Sequence, residues 1–133
     1  MTSGLDYARV GLVVAVLQRR ANVDLGRSDV YAATVGGVRL SEPALDLAIA
    51  LALAGGKTNL SLPADLVAFG EVGLAGEVRS VAGIGRRLAE ASRMGFRRAI
   101  VPVGTDPVPA DSPIEITRVA DVRGAISAGL GLE

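Results

Sequence analysis

Residues 66–94 constrain the fold of this chain more than any other stretch, because they spell four elements in one continuous run. Leu66, Val67, Ala68 and Phe69 form an apolar run of the length of a buried strand. Gly73 and Gly76 then stand where a tight reversal needs positive φ, and Val78 opens a short return strand. Beyond Gly83 the apolar residues Ile84, Leu88 and Ala91 recur at helical spacing, while Arg86, Arg87, Glu90 and Arg93 occupy the other faces. The stretch reads strand, glycine turn, strand, helix.

Composition narrows what such a unit can belong to. At 133 residues the chain fits one domain and is large enough to bury a core without covalent staples. Half of it is hydrophobic, yet it has two Phe, two Tyr and no Trp, so the core must be built from Val, Leu, Ile and Ala. Neither Cys nor His is present, which removes cysteine nucleophiles, thiolate or imidazole metal sites and the usual neutral-pH general base. Fourteen basic and fourteen acidic residues cancel, so the average surface offers nucleic acid no overall attraction. The N-terminus lacks a basic region before an apolar one, and the longest apolar run, Leu47 to Ala54, is too short to span a bilayer. A soluble cytoplasmic protein with no membrane partner is expected.

Around the central stretch the remaining elements fall in order. Ser3 stands as an N-cap with Asp6 three positions on, and Leu5, Ala8, Leu12 and Val16 give an apolar face, so a helix is expected from Leu5 to Arg20. Its valines are poor helix formers, and burial must hold it. Val30 to Val35 reads as a strand ending at Gly36-Gly37. Ser41-Glu42-Pro43 starts a second helix, apolar from Ala44 to Ala54 on nearly every face except Asp46 and stopped by Gly55-Gly56. That helix is expected at the centre of the core. Gly95 ends the third helix, Arg98 to Val103 is a short buried strand, and Ile114 to Val119 alternates like an exposed one. Asp121 to Leu130 is a glycine-interrupted terminal helix. The order αβαββαβ(β)α is that of one α/β or α+β domain covering residues 1–133.

Three separated motifs carry a resemblance. Gly70-Glu71-Val72-Gly73-Leu74-Ala75-Gly76-Glu77-Val78-Arg79, followed by Val81-Ala82-Gly83-Ile84, resembles the second signature of the Lon-type protease domain. Its form is closest to one branch, the Lon-like C-terminal domain of the bacterial RadA (Sms) DNA-repair family. Val35 to Pro43 and Gly95 to Pro102 resemble that branch as well, so the likeness runs from about Ser3 to Pro102. The resemblance implies a ribosomal-protein-S5-domain-2-like fold and a homo-oligomer, a hexameric ring in the intact protein. There the domain serves as an assembly scaffold and DNA-engaging platform for a DNA-dependent ATPase that drives branch migration of recombination intermediates. It also implies a RecA-type recombinase as partner and a nucleoid-associated location. In that family a zinc-finger module, a RecA-like ATPase module and a further strand precede the matching region, so the chain is expected to be a C-terminal fragment. ATP, Mg and Zn belong to those absent modules, and no cofactor is expected here.

Lon-type proteases use a serine and a lysine, the amine acting as general base. The family's Pro-Ser-Ala-Gly pattern reads Pro43-Ala44-Leu45-Asp46 here, and the lysine position after Val-x-Gly-Ile is Gly85. Both halves of the dyad are absent, and no peptidase activity is expected. Ser41 is explained as a helix cap, and Lys57, the only lysine, is separated from it by roughly 20 Å at about 1.5 Å of helix rise per residue. Gly55-Gly56-Lys57-Thr58 looks like the end of a phosphate-binding loop. However, Leu51 stands where its first glycine belongs and no helix follows to hold phosphate.

The positive signal is the uneven spread of arginine. Arg79, Arg86, Arg87, Arg93, Arg97 and Arg98 fall within twenty residues, opposed there only by Glu77 and Glu90, and thirteen of the fourteen basic residues are arginine. Arginine suits bidentate phosphate contacts, and these six are the candidate DNA-binding residues. Phe96 is the only aromatic residue among them, so backbone-directed binding rather than base stacking is expected. Two alternatives stay open: an active Lon-type Ser/Lys peptidase, and a structural oligomerisation module whose arginines face neighbouring subunits. Asp46 on its apolar helix is expected to be exposed or paired with an arginine such as Arg39.

Overall fold

The computed structural model describes residues 2–3, 12–13, 15–16, 32–33, 43–58, 60, 62–108 and 112–131. In chain order these hold strands β1 (Thr2–Ser3) and β2 (Ala32–Ala33), a 3-10 turn (Pro43–Leu45) and helix α1 (Asp46–Thr58). Then come β3 (Leu66–Ala68), β4 (Glu71–Val72), β5 (Val78–Arg79), α2 (Ile84–Arg93), β6 (Arg98–Pro102), β7 (Glu115–Val119) and α3 (Val122–Leu130). Residues 12–13 and 15–16 are helical, inside the span expected for the first helix. Among the described residues no helix is long and apolar enough to cross a membrane.

Side-chain alternation along β6 sets the layers. The strand is central in a parallel sheet ordered β3-β6-β7, with Val67 opposite Ala99 and Ala99 opposite Ile116. Ile100 points to one face, where it joins Leu47, Leu51 and Ala54 of α1 and Val122, Ala125 and Ile126 of α3. Ala99 and Val101 point to the other, where they meet Ile84, Leu88 and Ala91 of α2. Among the described residues α1 and α3, with the helical Val13 and Val16, therefore cover one face and α2 covers the other, the layering of an α/β domain. The crossover from β3 to β6 carries α2, as parallel strands require a long connection.

The reversal between β4 and β5 uses its two glycines differently from the expectation. Gly76 has φ +86, but Gly73 is not among the glycines of positive φ. A Cβ at Gly73 would instead meet the Glu77 carboxylate, the movable end of an exposed side chain that folds over the turn. Glu77 Oε1 accepts from the Ala75 N–H at 3.1 Å, and the Gly73 N–H donates to the Glu77 carbonyl at 2.9 Å.

One expected boundary is corrected. Gly55 and Gly56 do not stop the second helix, because α1 continues through them to Thr58. Gly55 lets the following loop pack closely: the Leu60 N–H donates to its carbonyl at 3.1 Å, and a Cβ would lie 3.1 Å from the Leu60 oxygen. Ser3 lies in β1, which pairs parallel with β2 in the register Thr2↔Ala32 and Ser3↔Ala33, and the start of the helix it is expected to cap lies outside the described residues. Gly95 lies in the left-handed region at φ +97 behind α2 and Asp121 caps α3 through the Gly124 N–H, whereas the ends expected for the first helix and for the strand Val30 to Val35 lie outside the described residues.

Candidate nucleic-acid interface

The six arginines sit on three consecutive elements. Arg79 ends β5, Arg86, Arg87 and Arg93 lie on α2, and Arg97 and Arg98 introduce β6. Helical spacing explains why α2 carries so many. Ile84, Leu88 and Ala91 occupy the buried stripe, which leaves the other faces to charged residues.

Several guanidinium groups are held by carboxylates. Arg79 binds Glu77 through Nη2 at 2.8 Å and Nε at 3.0 Å, with Glu71 at 4.0 Å. The Arg79 hydrogen bond holds the Glu77 carboxyl below its ordinary value, and Glu77 in turn raises Arg79. Arg93 donates to Glu90, which is lowered for the same reason. Arg98 lies 3.6 Å from Asp65. Arg87 Nε donates to the Ala82 carbonyl at 3.1 Å. Arg86 and Arg97 are exposed and make no ion pair among the described residues. The acids that answer the cluster are thus not only Glu77 and Glu90, since Asp65 and Glu71 reach it from outside the stretch.

In the fold a second aromatic residue joins Phe96 beside the arginines. Phe69 and Phe96 line a shallow groove of about 730 Å3 together with Arg86, Arg87, Val67 and Met94. Phe69 stands seventeen residues before Arg86 in the chain, and only the packing of α2 against β3 brings them together. Phe96 directly precedes Arg97, and that adjacency was the one signal in the sequence.

The dyad positions of the Lon resemblance differ in setting. Ala44 is buried, and its carbonyl accepts the Gly70 N–H at 3.0 Å. Gly85 is exposed in the first turn of α2, where it lines a cavity of about 760 Å3 with Ser80, Thr105 and Asp106. Lys57 falls in the last turn of α1 rather than beyond it, at the carbonyl end of the helix, where phosphate is disfavoured. Asp46 is buried, and its Oδ2 accepts the Val72 N–H at 3.1 Å. A main-chain amide therefore answers this carboxylate, while Arg39 and Ser41 lie outside the described residues.

A protein-family model described as subunit ChlI of Mg-chelatase matches residues 33–105, more than half of the chain. The chain belongs to the ChlI family. The matched span takes in α1, the β4–β5 hairpin and α2, so this ChlI-family segment contains all six arginines of the cluster and the residues that line the groove. The chain is also similar to proteins named DNA repair protein RadA. It is 51% identical over 107 residues to that of Mycobacterium tuberculosis strain H37Rv, covering 80% of this chain and 22% of the relative. To the Escherichia coli K12 protein it is 42% identical over 124 residues, 93% of this chain and 27% of the relative. To that of Bacillus subtilis strain 168 it is 42% identical over 133 residues, 98% of this chain and 29% of the relative. The ChlI-family chain thus spans about a quarter of the length of the curated relatives it matches. Among its described residues no group of three or more His, Cys, Asp or Glu is placed to hold a metal ion.

Proposed function

We propose that this chain is the non-proteolytic, Lon-protease-like domain of a RadA-type DNA recombination and repair protein. In that role it is a scaffold for a hexameric ring and a DNA-engaging platform for a DNA-dependent ATPase that drives branch migration. The observation that carries the reading is identity of 41–51% to relatives named DNA repair protein RadA, over 80–98% of this chain. The residues at the dyad positions support its non-proteolytic half. Ala44 has no oxygen to attack with, and Gly85 has no amine to serve as base.

The DNA-engaging half draws on the arginines. Arg86 and Arg97, exposed and without an ion pair among the described residues, would meet phosphate with no partner to displace. Arg79, Arg93 and Arg98 would first have to exchange a carboxylate for a phosphate. The test is fluorescence anisotropy of labelled DNA with the pure chain at rising salt. Affinity that falls steeply with salt, and falls about uniformly across DNA sequences on Arg86→Ala or Arg97→Ala, is the expected result. A folded chain that binds no DNA at low salt would refute the platform and leave the scaffold. Steady cleavage of casein by the pure chain would refute the non-proteolytic assignment.

A further inference from the structure

Both phenylalanines of this chain line the groove that Arg86 borders, and neither is fully buried. In a chain so poor in aromatics, the largest apolar side chains would be expected at the centre of the core, where burial stabilises most. The fully buried residues of both clusters are instead Val, Leu, Ile and Ala, and the two rings pack only half-buried against the second cluster, leaving part of each to solvent. Beside the two rings, Met94 is 67% exposed although it is apolar, and Val67 of β3 lies in the same groove. Aromatic, Met and Arg side chains together are the composition of a binding surface, not of a solvated helix face.

We propose that this groove is a stacking site for an unpaired base of single-stranded DNA, an inference that rests on the DNA-engaging reading above. Phe69 and Phe96 offer ring surface to the base, Met94 closes against it, and Arg86 takes the adjoining phosphate. Every base has a π-face and every nucleotide a phosphate, so the site is indifferent to sequence. It is not indifferent to strandedness, because the bases of a duplex are already stacked on their neighbours and cannot enter. The one carboxylate in the groove, Glu90, is held by Arg93 and so has its charge answered without Arg86. The site therefore adds to the arginine cluster what phosphate contacts lack, a preference for unpaired strands.

The test compares a fluorescein-labelled oligo-dT strand with a labelled hairpin duplex of the same length, by anisotropy with the whole chain. Phe96→Leu keeps the apolar volume and removes the ring. It is expected to weaken oligo-dT binding about fivefold or more and leave the duplex unchanged, whereas Arg86→Ala weakens both. Met94→Glu alters an exposed side chain without touching the buried clusters, and is expected to lower the strand-to-duplex preference in the same direction. If neither Phe96→Leu nor Met94→Glu changes that preference, the stacking site is refuted, while dependence on Arg86 keeps the DNA reading. If the wild-type chain binds neither DNA, the reading and the site fall together. If these substitutions instead change only the mass of the assembly in sedimentation, the groove is a contact between copies of the chain and the stacking site is refuted.

Discussion

Asp46 shows how one side chain can join two parts of this fold. It sits at the first position of α1, 1% exposed, and its carboxylate accepts the main-chain N–H of Val72 in β4. Truncation would strand that amide in the core, since no water reaches a buried donor. Asp46→Ala is expected to lower stability by about 1–3 kcal/mol, and Asp46→Asn by less, because the amide oxygen still accepts; urea denaturation of both variants checks this. The glycines of α1 give an opposed pair at the same scale. At Gly56, an exposed position of this helix, a new Cβ meets nothing within 4 Å, so Gly56→Ala should stabilise by about 0.5–1 kcal/mol. At Gly55 the Leu60 carbonyl stands 3.1 Å from the same atom and is backbone, so Gly55→Ala should gain nothing or destabilise. Thermal melts of the two variants side by side would separate them.

Among the elements, the β4–β5 hairpin and α2 each carry an acid whose pKa the fold lowers. Arg79 holds Glu77 down, and Arg93 holds Glu90 down, from an ordinary value of 4.5. A carboxylate with a depressed folded pKa stabilises the native state fully above its unfolded value, and loses that contribution as pH falls through the folded value. Stability should therefore decline as the pH drops below about 4.5. The decline should be shallower in Glu77→Gln and Glu90→Gln, and shallower still at high salt, because both pairs are exposed. Melting temperatures between pH 6 and pH 3 would show the sign. At the far end of the chain, Asp121 caps α3 through the Gly124 N–H at 2.7 Å. Asp121→Ala should cost about 0.5–2 kcal/mol, seen as a lower denaturation midpoint.

For the molecule as a whole, the parallel sheet is the shared wall of two apolar clusters, one under α1 and α3 and one under α2. Ile100 is the β6 side chain of the first cluster and is 2% exposed. Ile100→Ala should cost about 2–5 kcal/mol in denaturant unfolding, the range for a large buried aliphatic whose cavity cannot collapse. What the chain alone determined were the features written in local periodicity and turn chemistry. The run Leu66 to Phe69, the helical spacing of Ile84, Leu88 and Ala91 and the break at Gly95 all needed only neighbouring residues to be understood. Features that depend on distant partners were decided by packing. The burial of Asp46 came from an amide twenty-six residues away, and the passage of α1 through Gly55-Gly56 came with the loop at Leu60. The meeting of Phe69 with Arg86 came from α2 lying against β3. Period and turn chemistry act over a few bonds and so are legible in order along the chain, whereas a groove exists only once two elements far apart in sequence share one apolar face.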